Sequence, residues 1–197
     1  MSWGQQQETL PCKIYNVKLH FCLPQTISSD RLRAFGVKCR NFWVVRLNPY
    51  VFTVFVRATE CHVNVTGIAT TDLIEKAVKA FARLFNVGED CMSQVRVTVD
   101  NLTASGSLRL EKVVSRSHID AYLLCDFLKV SESTTVGSLR PNFFPAIVLR
   151  RPDCCTVILF RNSRYVILGA KDVDQVREAR NRLIDIVRQS EKAGGGD

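Results

Sequence analysis

The feature that most constrains this chain is that its pattern is written twice. Residues 42–87 run as an apolar strand (FWVVRL), a turn at Asn48-Pro49, a second strand (YVFTVFV), the segment CHVNVTG and a helical stretch, TTDLIEKAVKAFARLF. Residues 144–189 repeat the order: FPAIVLR, a turn around Arg151-Pro152-Asp153, CCTVILF, RYVILG and DVDQVREARNRLIDIVRQ. Phe42 to Phe144 and Gly67 to Gly169 are both 102 apart (144 − 42 and 169 − 67). A hairpin, a third strand ending in Gly and a long helix, present twice, predict two copies of one supersecondary unit.

Both helical stretches are amphipathic. Leu73, Ala77, Phe81 and Leu84 form one apolar stripe, and Val176, Ala179, Leu183 and Val187 form the other. Asp172 followed by Gln175 suits an N-cap with its capping partner. Upstream of each hairpin lies a further strand. In CKIYNVKLHFC, strict alternation sets Ile14, Asn16, Lys18 and His20 against Tyr15, Val17, Leu19 and Phe21. In VRVTVDNLT it sets Val95, Val97, Val99 and Asn101 against Arg96, Thr98, Asp100 and Leu102. The two asparagines are 85 apart (101 − 16), so the second copy carries about 17 more residues than the first. That surplus falls within 115–138, whose middle, DAYLLCDFLKV, suits a short helix. The expected organisation is a flexible 1–11, a first repeat over 12–90, a second over 91–189 with the insertion near 115–138, and a frayed Gly-rich tail from 190 to 197.

Composition narrows the function. With 27 Lys+Arg against 19 Asp+Glu the net charge is +8, which favours an anionic partner, nucleic acid being the commonest. The eight cysteines show no CxxC spacing, and the N-terminus lacks the pattern of a secretory signal. They are read as reduced cysteines of an intracellular protein, and no metal site or cofactor is expected. No apolar run reaches 18 residues, so no membrane span is expected. Cys61 beside His62, or Cys22 near His20, offers a thiol–imidazole pair, but packing on strands accounts for both, and no phosphate-binding loop or HExxH motif occurs. The chain is not expected to be an enzyme.

The phenylalanines carry the sharper signal. Centring the first hairpin between Asn48 and Pro49 places Phe42 opposite Phe55. Centring the second on Pro152 places Phe144 opposite Phe160. Each hairpin then sets two rings side by side at its open end. Alternation sends Phe143 and Phe144 to opposite faces, one to the core and one to a face that helices on one side of a sheet leave open. Pro145 suits a strand's first position.

At these residues the chain resembles the TATA-box-binding protein family. FFPAIVLRRPDCCTVILFRNSRYVILGAK (143–171) is the best-matching stretch, SLRLEKVV (107–114) also matches, and CRNFWVVRL with VNVTG follows in register. The resemblance covers about residues 12–189. It implies an α+β fold: a two-repeat saddle, one curved antiparallel sheet with helices on the convex face. It further implies minor-groove binding with paired phenylalanine wedges that kink the duplex. The wedges would be Phe42 with Phe55 and Phe144 with Phe160. Base contacts would come from Asn16, Asn101, Thr66 and Thr103. Lys18, Arg46, Arg150 and Lys171 would lie toward the DNA backbone.

Several positions depart from the family pattern. Leu168 replaces a threonine, and Lys18 and Thr103 stand where the family has valines against the groove floor. Arg140 and Asn142 occupy the positions of the acidic residues that dock transcription factor IIB. The chain reads as a divergent member of the family: a nuclear factor that binds and bends AT-rich promoter DNA and serves transcription factors of the IIA/IIB type and the RNA polymerase machinery. Two alternatives stand beside it. One is a pair of RNA-binding sheet modules, which the strand–hairpin–strand–helix order disfavours. The other is a saddle that has lost DNA and works as a protein-interaction platform.

Overall fold

The computed structural model describes residues 12–114, 118–120, 124, 125, 128, 135, 136, 146–150 and 155–193. Their elements are β1 (Lys13–Leu23), α1 (Ser29–Phe35), β2 (Gly36–Cys39), β3 (Phe42–Leu47), β4 (Tyr50–Val56), β5 (Cys61–Ile68), a 3-10 turn (Thr71–Leu73), α2 (Ile74–Leu84), α3 (Glu89–Ser93), β6 (Val97–Ser107), β7 (Thr135–Val136), β8 (Ala146–Arg150), β9 (Thr156–Phe160), β10 (Arg164–Ala170) and α4 (Val173–Ala193). The fold is α+β, with antiparallel strand pairing throughout the described ladders. The chain forms two compact units, one holding Tyr15–Asn101, the other Leu102–Asp197 with the stretch ending at Ile14.

In the first unit the strands run in the order β2-β3-β4-β5-β1. One face buries Leu19, Phe21, Val45, Phe52, Val54, Val63 and Val65. The apolar stripe of α2 closes over it, with Phe81 edge-on to Phe21 at 5.6 Å and against Phe52 at 5.0 Å. Burying several such rings is the main stabilising term, at about 1.5–3 kcal/mol per large side chain. Residues 29–39 form α1 and the edge strand β2, which the hydrophobic pattern did not announce. Ser28 caps α1 by accepting from the Arg31 N–H, at 3.3 Å. Val37 in β2 is 69% exposed, so it contributes no periodic signal.

In the second unit the order is β6-β10-β9-β8-β7. Leu102, Ala104, Leu159, Tyr165 and Ile167 are buried, as are Val176, Ala179, Leu183 and Val187 of α4. The Asp172 side chain accepts from the Gln175 N–H at 2.8 Å, and Gln175 Oε1 accepts from the Lys171 N–H at 2.8 Å, so α4 opens on the reciprocal cap its sequence suggested. Tyr165 donates to Glu111 Oε1 at 2.6 Å, and Arg180 pairs with Glu111 Oε2 at 2.8 Å. Burial, then the Glu111 carboxylate, push the Tyr165 hydroxyl far above its usual range, so it stays a donor. Gly106 is needed here: a Cβ would stand 2.3 Å from the Tyr165 hydroxyl. Within the inserted region Leu124, Cys125 and Leu128 are helical and buried, and the Leu124 N–H bonds the Asp120 carbonyl at 3.1 Å.

Three register details differ from strict alternation. In β1 both Ile14 and Val17 are buried while Tyr15 and Asn16 are exposed. In β6 both Val99 and Leu102 are buried, with Asp100 and Asn101 between them. Each strand therefore changes phase across two residues, the second an asparagine, and each unit boundary falls at the same place. Opposite these strands, Gly67 (φ 84°) and Gly169 (φ 89°) sit at register shifts, between the Val17/Leu19 pairings and the Ile167/Ala170 pairings. They are bulge residues within β5 and β10 rather than strand terminators, and their positive φ is what a bulge requires.

Candidate nucleic-acid interface

The face of the first unit away from α2 is built of cross-strand rows. Phe55 pairs with His62, which pairs with Cys22. Val44 pairs with Thr53, Thr53 with Asn64, and Asn64 with His20. Arg46 pairs with Val51 and Val51 with Thr66. Lys18 lies opposite the bulge at Thr66-Gly67. Since one strand face buries Val45, Phe52, Val54, Val63 and Val65, period-two geometry obliges this set to point the other way. Phe42 and Phe55 meet with ring centroids 5.5 Å apart and planes at 48°, both half-buried. Arg46 and Lys18 are exposed at the two margins of their row, three strand spacings or about 14 Å apart.

The corresponding face of the second unit pairs Ala146 with Phe160, Ile158 with both Val148 and Val166, and Thr156 with both Arg150 and Leu168. Phe160 thus lies opposite Ala146, so the expected pairing with Phe144 is corrected by two residues. The hairpin centres on 153 because the connection from Arg150 to Thr156 is longer than the turn from Leu47 to Tyr50. Phe144 lies outside the described residues, as do Phe143, Pro145, Arg140 and Asn142.

The remaining expected site residues fall into three groups. Asn16, Lys18, Arg46, Thr66, Arg150 and Lys171 are exposed. Asn101 and Phe160 are half-buried. Thr103 is only 4% exposed. It lies opposite the bulge at Leu168-Gly169, the place Lys18 occupies in the first unit, so it is covered where the lysine is exposed. Asn64, between Thr53 and His20, is a polar group the sequence reading passed over; the V-N-V alternation of CHVNVTG was its signal.

Two histidine–carboxylate hydrogen bonds border the first face. His20 Nδ1 stands 2.7 Å from Asp100, and His62 Nε2 stands 2.7 Å from Glu60. Hydrogen bonds from His62, then from Cys22, hold the Glu60 carboxyl below its ordinary range. Burial, then the Glu60 hydrogen bond, push the Cys22 thiol up. The anticipated thiol–imidazole neighbours are rearranged accordingly. Cys61 points into the core, its sulfur accepting from the Ile27 N–H at 3.3 Å, while Cys22 meets His62 across the ladder. All seven described cysteines are free thiols.

The family model "Transcription factor TFIID (or TATA-binding protein, TBP)" matches residues 96–190. The fold is that of a solved structure, Methanococcus jannaschii TBP, which superposes with a TM-score of 0.68 at 20% identity, covering 91% of this chain and 99% of that one. Over residues 96–190 the chain is similar to the TBP family. Among its relatives, the TATA-box-binding protein of Pyrodictium occultum is 24% identical over 202 residues, covering 95% of this chain and 92% of its own length. Those of Sulfurisphaera tokodaii and Thermococcus kodakarensis are 28% and 26% identical over 123 and 99 residues, 61% and 50% of this chain. Those two alignments span about half the relatives' own length, 56% and 45%. Among the described residues, no helix is long and apolar enough to cross a membrane.

Proposed function

We propose that this protein is a TBP-family DNA-binding transcription-initiation factor that grips duplex DNA by the minor groove and bends it. The observation that carries the reading is the Phe42–Phe55 pair, two half-exposed rings 5.5 Å apart at the end of an uncovered sheet face. Large rings on an open face call for a partner, and a base step is a partner of the right thickness and polarity. Between wedge and margin lie Val44, Val51, Thr53, Asn64 and Thr66. Apolar and hydroxyl groups suit the degenerate acceptor pattern of an A·T minor groove, which charged side chains would not pack against. Arg46 and Lys18 at the margins, with Arg150 and Lys171 in the second unit, supply phosphate contacts. In the second unit, half-buried Phe160 is the described ring that would serve the second wedge. The place of action is chromosomal DNA, the nucleus in a cell that has one, with IIA/IIB-type factors and polymerase as partners.

The protein-platform alternative rests on Lys18 and Leu168, a charge and an aliphatic group opposite and at the two bulges. Energy transfer between the labelled ends of an AT-rich duplex separates the two. On the DNA reading the native chain brings the ends together at low salt, and Phe42→Ala and Phe55→Ala abolish most of that change while circular dichroism stays native. No bending by the native chain, or unchanged bending by both variants, transfers the reading to the platform.

A further inference from the structure

We propose that Cys22, Glu60 and His62 form a binding site for one late first-row divalent transition-metal ion, of zinc type. The three belong to the first unit, and their ligating atoms all lie within 4.8 Å of one another. Cys22 Sγ is 3.3 Å from Glu60 Oε2, and His62 Nε2 is 2.7 Å from Glu60 Oε1. Donors bound tetrahedrally at 2.0–2.3 Å stand roughly 3.3–3.7 Å apart, so His62 and Glu60 need to part by less than about 1 Å while the widest pair, within 4.8 Å, draws in by about 1 Å. A thiolate, an imidazole and a carboxylate are the donor set that zinc accepts, and three protein donors leave one position for water.

The scaffold holds these donors in place. Cys22 and His62 are direct partners in the β1–β5 ladder. Glu60 ends the turn before β5, where its carbonyl accepts from the Arg57 N–H at 2.9 Å. All three are half-buried, so the site is both reachable and constrained. In the absence of an ion the same atoms are joined by hydrogen bonds through Glu60. Binding replaces those protons: the Cys22 thiol gives up its proton to solvent as the metal–sulfur bond forms. The proton on His62 Nε2 leaves to solvent or, from a neutral ring, is exchanged for one on Nδ1, so that His62 binds as neutral imidazole through Nε2. No electron changes hands. Because His62 is the ladder partner of Phe55, the ion would also fix the ring that packs beside the Phe42–Phe55 pair.

Cobalt(II) is the probe. The full chain, stripped of metal with a chelator, is titrated with Co²⁺ and then with Zn²⁺, with circular dichroism of each variant as the folding control. One equivalent of Co²⁺ should give thiolate-to-cobalt absorption in the near ultraviolet that Zn²⁺ displaces. Cys22→Ser should abolish that absorption, and His62→Gln and Glu60→Gln should each weaken Co²⁺ binding at least about 10-fold. Cys39→Ser and Cys91→Ser should leave it intact. If Cys22→Ser does not fold, the His62→Gln and Glu60→Gln affinities decide. Absence of the absorption in the native chain, its survival in folded Cys22→Ser, or unchanged affinity in both other variants overturns the site.

Discussion

Gly67→Ala and Gly169→Ala form a matched pair, because the two glycines share a backbone conformation but not a neighbourhood. Both sit at bulges with positive φ, 84° and 89°. A Cβ at 67 would stand 2.2 Å from the Pro49 carbonyl oxygen, a backbone atom that cannot rotate away. Among the described residues, a Cβ at 169 would meet nothing closer than 4.0 Å. Left-handed conformation costs an alanine about 1–2 kcal/mol, offset by about 0.4–1 kcal/mol from the stiffer unfolded chain. Gly169→Ala should therefore destabilise by roughly 1 kcal/mol. Gly67→Ala adds an overpacking cost of about 1–3 kcal/mol, for a total of about 2–4 kcal/mol. Urea unfolding followed by far-ultraviolet circular dichroism, with Trp43 fluorescence as a reporter inside the first unit, reads both values from midpoint shifts at constant slope. If Gly67→Ala costs no more than about 1 kcal/mol, the close approach of the Asn48-Pro49 turn to β5 is wrong.

Other outcomes follow from the same geometry. Tyr165→Phe removes the donor to Glu111 within a buried network and should cost about 1–3 kcal/mol in urea unfolding, whereas an exposed control, Tyr15→Phe, should cost nothing measurable. If Lys18, Arg46, Arg150 and Lys171 all meet phosphates, the logarithm of duplex affinity should fall with the logarithm of salt at a slope near −3.6, and Lys18→Ala should flatten it by about 0.9; fluorescence anisotropy across a salt series measures both. The Glu60 carboxyl is held below its ordinary range, so its stabilising contribution is present above that range and is lost as pH falls through the depressed value. Glu60→Gln should accordingly flatten the acid limb of stability against pH, and an unaltered acid limb would remove the hydrogen bonds to His62 and Cys22 from the account.

Periodicity made the helices and most strands legible before any coordinates. The stripe Leu73, Ala77, Phe81, Leu84 lies on α2 and its flanking turn, and Val176 to Val187 lies on α4, because a helix that must cover a sheet repeats its apolar residues every three or four positions. The first hairpin's two-residue turn also pinned its register, and Phe42 and Phe55 came together as counted. The second hairpin did not follow, since a longer connection leaves the centre free by a residue and only the ladder sets it. Edge strand β2 was invisible because its exposed residues carry no alternation.

The sequence by itself determined the twice-written order of hairpin, strand and helix, the core stripes, the charge that favours an anionic partner and the phenylalanines worth following. Each of those rests on local spacing or composition, which a linear reading contains. The tertiary structure alone decided which groups share a face. It changed the phase of β1 and β6 at Asn16 and Asn101, covered Thr103 where Lys18 is exposed, and brought Cys22 beside Glu60 and His62. The physical reason is the period of two: a single bulged residue sends every later side chain to the opposite face, and pairing joins residues 38 apart that no spacing rule connects.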